Sequence, residues 1–102
     1  MSEDERMIRV IMEYINDLDE PDVGWPEIEF AKASYSRWAA GEILVLALSH
    51  YDWTPLRAVE EFKTMVGKFM LKPTHYTDAT DMFRIAYDTA VDISDILYAM
   101  VP

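Results

Sequence analysis

The sequence predicts an all-α protein, a compact single-domain bundle of four or five helices, and three observations carry that expectation. Apolar residues recur at helical spacing in four separate segments, each opened by residues suited to a helix start. Only 3 glycines and 5 prolines interrupt 102 residues, which leaves little room for the turns of an all-β design. The chain is 51% hydrophobic and 13% aromatic, enough for one real core, so residues 1–102 read as a single domain.

The first helix opens with Ser2 and Glu5, spaced as a capping box, and carries acids in its first turn. Met7, Ile8, Ile11, Tyr14, Ile15 and Leu18 then share one face, and "NDLDEPDVGWP" ends it with Asp, Pro and Gly. Pro26 suits the first position of the second helix, with Glu27 and Glu29 near its positive end. That helix is expected to reach about Ser49. A break at Gly41 would make five helices rather than four. Its second half, "AAGEILVLALS", is apolar nearly all round, the pattern of a helix surrounded by others. "ILVLAL" alone also fits a buried strand, but no second strand exists for it to pair with, so it is assigned to the helix.

Thr54 and Pro55 are a cap and a first residue for the third helix. Within "TPLRAVEEFKTMVGKFML", Val59, Phe62, Val66 and Phe69 mark the inner face, flanked by Ala58, Met65 and Met70. Arg57 stands three and four residues before Glu60 and Glu61, a spacing for weak surface pairs. Thr77 or Asp78 caps the fourth helix, which runs almost to the C-terminus. The short connections suit antiparallel packing of successive helices.

The fourth helix holds the candidate site. Asp78, Asp81, Asp88, Asp92 and Asp95 fall within a stripe roughly 100° wide at ~100° per residue, and the stripe extends roughly 25 Å at 1.5 Å rise per residue. Ala79, Met82, Phe83, Ala86, Ala90, Ile93, Leu97 and Met100 lie on a different arc, so the carboxylates point to water. An amphipathic helix needs a polar face in any case. A merely solvated face, however, more often mixes Glu and Lys, which form helix better and pair four residues apart. Asp88 and Asp92 instead repel each other. A row of carboxylates can occupy a basic groove that otherwise receives phosphates, because arginine pairs bidentately with either group. A second line, Tyr87, Val91, Ser94 and Tyr98, runs beside the stripe and is a candidate for self-association, unless a neighbouring helix covers it.

Charge narrows the function classes. Nineteen acidic against nine basic residues give −10, which disfavours direct binding of nucleic acid or anionic lipid and leaves a basic partner protein open. The chain has no cysteine, so disulfides, thiolate metal sites and a cysteine nucleophile are excluded. The acidic start lacks the layout of a signal peptide, and "WAAGEILVLAL" is about half the length of a membrane span; a cytoplasmic protein with no membrane role is expected.

No catalytic, cofactor or metal constellation appears. His50 and His75 stand outside any metalloprotease or di-iron pattern, and His75 with Asp78 supplies only two ligands where functional zinc sites take three or four. His50 is expected to act at a helix C-terminus, near the free carbonyls. Glu42, inside an apolar run, is expected to be buried and paired with Arg37 or Arg84; a catalytic acid is the sharper alternative. Trp25, Trp38 and Trp53 suit core and helix-start packing. The expectation is a non-enzymatic acidic interaction module, an inhibitor or adaptor of bacterial or phage type that presents the stripe to a basic, nucleic-acid-binding partner. A homodimer through the Tyr87, Val91 and Tyr98 line is expected as well. The first rival is a homo-oligomeric assembly subunit in which that line matters and the acidic face only solubilises. A small carboxylate-metal enzyme is the remote rival.

Overall fold

The computed structural model describes residues 2–70 and 77–102, with the side chains of 77–80 left undescribed. Among these residues it contains four helices and no strand: α1 (Glu3–Asp17), α2 (Glu27–Ser49), α3 (Pro55–Met70) and α4 (Thr77–Tyr98). All-α architecture holds, with four helices rather than five.

Each helix start among the first three has a local cause. Ser2 Oγ accepts from the Glu5 amide at 3.1 Å, filling one of the four unpaired donors at the head of α1. Asp22 Oδ1 accepts from the Gly24 amide at 2.8 Å, and the Asp22 carbonyl accepts from the Trp25 amide at 2.9 Å. This aspartate-built turn redirects the chain into α2. Pro26 serves as the cap residue of α2, one position earlier than expected, and its extended backbone leads directly into Glu27. Thr54 Oγ1 accepts from the Arg57 amide at 3.1 Å at the head of α3. The expected caps of α4, the Thr77 and Asp78 side chains, lie outside the described residues.

Helix α2 runs unbroken through Gly41. Its last turn closes with the His50 amide donating to the Leu46 carbonyl at 3.2 Å. The His50 ring is occupied otherwise than expected: it stacks on Trp53 with centroids 3.9 Å apart.

The core joins Met7 and Ile11 of α1, Ile43 of α2, Val59, Phe62 and Val66 of α3, and Ile93 and Leu97 of α4, all essentially inaccessible to water. For α1, α3 and α4 these residues lie on the faces read from the sequence, while α2, apolar nearly all round, had no single face assigned; their burial is the main stabilising contribution. Phe69 departs from expectation. It sits at the end of α3, 41% exposed, with its ring stacked on Phe83 at 5.1 Å.

Cross-helix contacts fix the directions. Gly67 lies beside Tyr87 and Ser94 bonds to Glu60, so α3 and α4 run antiparallel. Ser36 bonds to Thr89, while residues 28–35 face 81–88, so α2 and α4 run the same way. These two parallel helices pack directly, and the reason is small residues: Ala39, Ala40, Ala47, Ala86 and Ala90 are all buried. Helix α1 lies across the pair, with Tyr14 reaching Asp92 and the Leu18 carbonyl accepting from Arg37 at 3.2 Å. Among the described residues no helix is long and apolar enough to cross a membrane.

Among the described residues every buried side-chain polar atom has a hydrogen-bond partner. Thr89 Oγ1 donates to the Ile85 carbonyl at 2.9 Å and, its one proton used, accepts from Ser36 Oγ at 2.9 Å. Ser94 Oγ donates to Glu60 Oε1 at 2.9 Å, which also receives Lys63 Nζ at 3.1 Å. Glu60 therefore serves the α3–α4 seam, and of its two expected partners Arg57 approaches only Glu61, at 3.8 Å on the surface.

Candidate functional site

The site is built on α4. Its core face is pinned by Ala86, Ala90, Ile93 and Leu97, and this rotation of the helix carries Asp81, Asp88, Asp92 and Asp95 outward, all four exposed. The four span roughly 21 Å at 1.5 Å rise per residue. Arg84 is the only basic residue of the helix. The Asp78 side chain, fifth member of the expected stripe, lies outside the described residues, as does His75.

Two features around the row were not legible in the sequence. The first is a contact from another helix. Tyr14 of α1 donates its hydroxyl to Asp92 Oδ2 at 3.4 Å. Partial burial pushes the Tyr14 pKa up first; the Asp92 charge and the hydrogen bond donated to it add to the rise. The second is an open groove of about 650 Å³ between the N-terminal halves of α2 and α4. Glu27, Ile28, Lys32 and Tyr35 line one wall, and Asp81, Arg84, Ile85 and Asp88 the other. It ends one residue short of Ser36 and Thr89, where the hydroxyl pair draws the two helices together. Ile28 stands 65% exposed at its edge. Among the described residues neither Lys32 nor Arg84 comes within 4 Å of a carboxylate, the ion pairs there being Arg57–Glu61 and Lys63–Glu60. The groove thus offers charges of both signs and an apolar edge, and the acidic row runs out of it along α4.

The second candidate line is dispersed by α3. Ser94 is buried and bonded to Glu60, while Tyr87 is half-buried with its ring 3.6 Å from where a Cβ on Gly67 would stand. Val91 is half-buried, and Tyr98, 54% accessible, is the only member well exposed to water. A neighbouring helix therefore covers Tyr87 and Ser94, two members of the line.

Glu42 corrects the sequence reading. It is exposed, not buried, because among the described residues no helix lies over the α2 face that carries it. Neither expected partner pairs with it: Arg37 instead donates to the Leu18 carbonyl, tying the end of α1 to α2. A buried catalytic acid at position 42 is thereby removed. Among the described residues no three His, Asp or Glu side chains converge as a metal site.

What the outward face of α2 does carry is apolar. Trp38, Val45 and Leu48 are 39%, 55% and 62% exposed. For Val45 and Leu48 the signal was present in the all-round apolarity of "AAGEILVLALS", whereas Trp38, expected in the core, is partly exposed. Comparison of the chain with protein-family models, curated proteins and solved structures found no match in any of the three.

Proposed function

We propose that this chain is a non-enzymatic, acidic helical interaction protein whose α4 carboxylate row docks on a basic partner protein, as an inhibitor or adaptor does on a surface otherwise used for nucleic-acid phosphates. One observation carries the proposal: Asp81, Asp88, Asp92 and Asp95 all face water along one side of a helix whose only basic residue is Arg84. Aspartate is a poor helix former, and carboxylates four residues apart destabilise a helix. The row accordingly costs local stability that mixed Glu and Lys would not. Arginines arranged for phosphates meet carboxylates with the same paired hydrogen bonds. Ile28 and Tyr35 at the adjoining groove supply apolar contact area, which a purely ionic, solvent-screened contact lacks.

The test replaces Asp81, Asp88, Asp92 and Asp95 together with Asn. The native chain should retain a basic protein from host extract and compete with nucleic acid for it, with affinity falling steeply as salt is added. The quadruple variant should retain helicity and lose the partner. Equal capture by the two chains would reduce the row to a solubility device.

A second reading, a self-assembling subunit, is favoured by a different observation, the uncovered apolar face of α2.

A further inference from the structure

Helix α2 is apolar on more sides than its own fold uses. Its inward side, Ala39, Ala40, Ile43 and Ala47, is buried. Trp38, Gly41, Val45 and Leu48 repeat at three- and four-residue intervals on the outward side, where among the described residues nothing lies within 4 Å of a Cβ built on Gly41. Trp38 reaches across to Phe62 of α3, and Met65, one turn further along α3, is 44% exposed. We infer that this outward face of α2 is a self-docking surface covered by a second copy of the chain, the two α2 helices crossing near Gly41.

Three arguments select a second copy as the occupant. A chain of net charge −10 repels its own kind, so two copies approach only through a neutral face. The stretch that carries this face, residues 33–49, has only two charged side chains, Arg37 and Glu42, which cancel, and Glu42 stands exposed at the margin of the strip with its carboxylate in water. Area agrees as well. The exposed parts of Trp38, Val45, Leu48 and Met65 amount to on the order of 400 Å², about half of what each partner of a standard interface buries, with polar rim to supply the rest. Finally, Gly41 is a small residue in the middle of the strip, and small residues let helix backbones approach closely. This inference does not depend on the acidic row, which lies on another helix.

Sedimentation of the intact chain from about 1 to 300 μM should show a monomer–dimer equilibrium, the usual closed two-fold assembly. Val45→Glu with Leu48→Glu, both at exposed sites, should raise the dissociation constant at least ~30-fold while leaving the helical circular dichroism unchanged. The absence of cysteine permits a second measurement. Gly41→Cys, at a position with open space around it, should form a disulfide-linked dimer under mild oxidation, whereas Asp81→Cys should not. A native chain that stays monomeric to 300 μM overturns the inference. So does a dimer indifferent to the paired glutamates and unlinked through position 41, which would assign assembly to another face.

Discussion

The hydroxyl pair Ser36–Thr89 marks the point where the parallel helices α2 and α4 close on each other, so breaking it tests the packing that shapes the groove. Thr89 is 5% exposed and has two bonds: it donates to the Ile85 carbonyl and accepts from Ser36. Thr89→Val preserves shape but leaves Ser36 Oγ facing an apolar methyl. Ser36 is only half-buried, so water can reach it and the loss should be about 1 kcal/mol, the low end for an orphaned polar group. Ser36→Ala leaves Thr89 still bonded to Ile85 and should cost about 0.5–1 kcal/mol. The two changes remove the same bond, so the double variant should lose about 1 kcal/mol rather than the sum, a coupling of roughly 0.5–1 kcal/mol. Urea unfolding of the four chains, followed by circular dichroism, reads this directly, because the midpoints shift at constant slope if only native stability changes. Additive losses would mean that the 2.9 Å contact contributes nothing and that alanine packing alone sets the closure.

Two further perturbations follow from single positions. Gly67→Ala should raise stability by about 0.5–1 kcal/mol through helix propensity, since the added methyl meets Tyr87 at an ordinary 3.6 Å; thermal unfolding should shift upward by about 4–8 °C per kcal/mol, and a lower midpoint would mean the α3–α4 seam is tighter than it looks. Tyr14 has its pKa raised in the folded state, so its contribution is fully present below the ordinary tyrosine pKa of 10.0 and is lost as pH rises through the folded value. Tyr14→Phe should therefore flatten the decline in stability above pH 10.0, while Asp92→Asn should lower the spectroscopic Tyr14 pKa only in part, burial being the larger cause. An Asp92→Asn chain whose Tyr14 titrates at the ordinary value would invert that order of causes.

The residues that made the fold legible are those whose roles are local. Ser2, Thr54 and Pro55 act within one turn of the backbone, and the apolar faces of α1 and α4 follow from period alone. The exposure of the aspartates is equally local, because it is the complement of the Ala86–Leu97 core face. Failures began where two helices must be placed relative to each other. Glu42 looked buried because its neighbours in sequence are apolar, yet a helix can be apolar on a side that its own chain never covers. For Tyr87 and Ser94 a partner and a covering helix stayed equally open, because nothing in the sequence states that Gly67 and Glu60 would meet them. The groove was invisible for the same reason. Lys32 and Tyr35 stand 46 residues or more before Asp81 and Arg84, and only the parallel packing of α2 on α4, a relation that short connections do not announce, brings them together.

The two proposed surfaces lie on different helices and point apart, since the side of α2 that meets α4 is the one opposite Trp38, Val45 and Leu48. A dimer through α2 therefore leaves both acidic rows open and presents them as a bivalent ligand, which gains affinity for a clustered basic partner without any new contact. Salt separates the two interactions. Added sodium chloride screens the carboxylate row, so partner binding weakens. The same salt screens the repulsion between two chains of −10 charge, so α2 self-docking strengthens. A titration from about 50 to 500 mM should move the two dissociation constants in opposite directions, at charge separations comparable with the screening length of ~8 Å under physiological conditions. The Val45→Glu, Leu48→Glu chain then provides the decisive comparison. It should bind a single immobilised partner as tightly as the native chain, and lose its advantage only where partners are dense. Equal retention on the dense surface would show that the two faces work independently, and weaker binding to the isolated partner would place Val45 and Leu48 within the partner's own footprint.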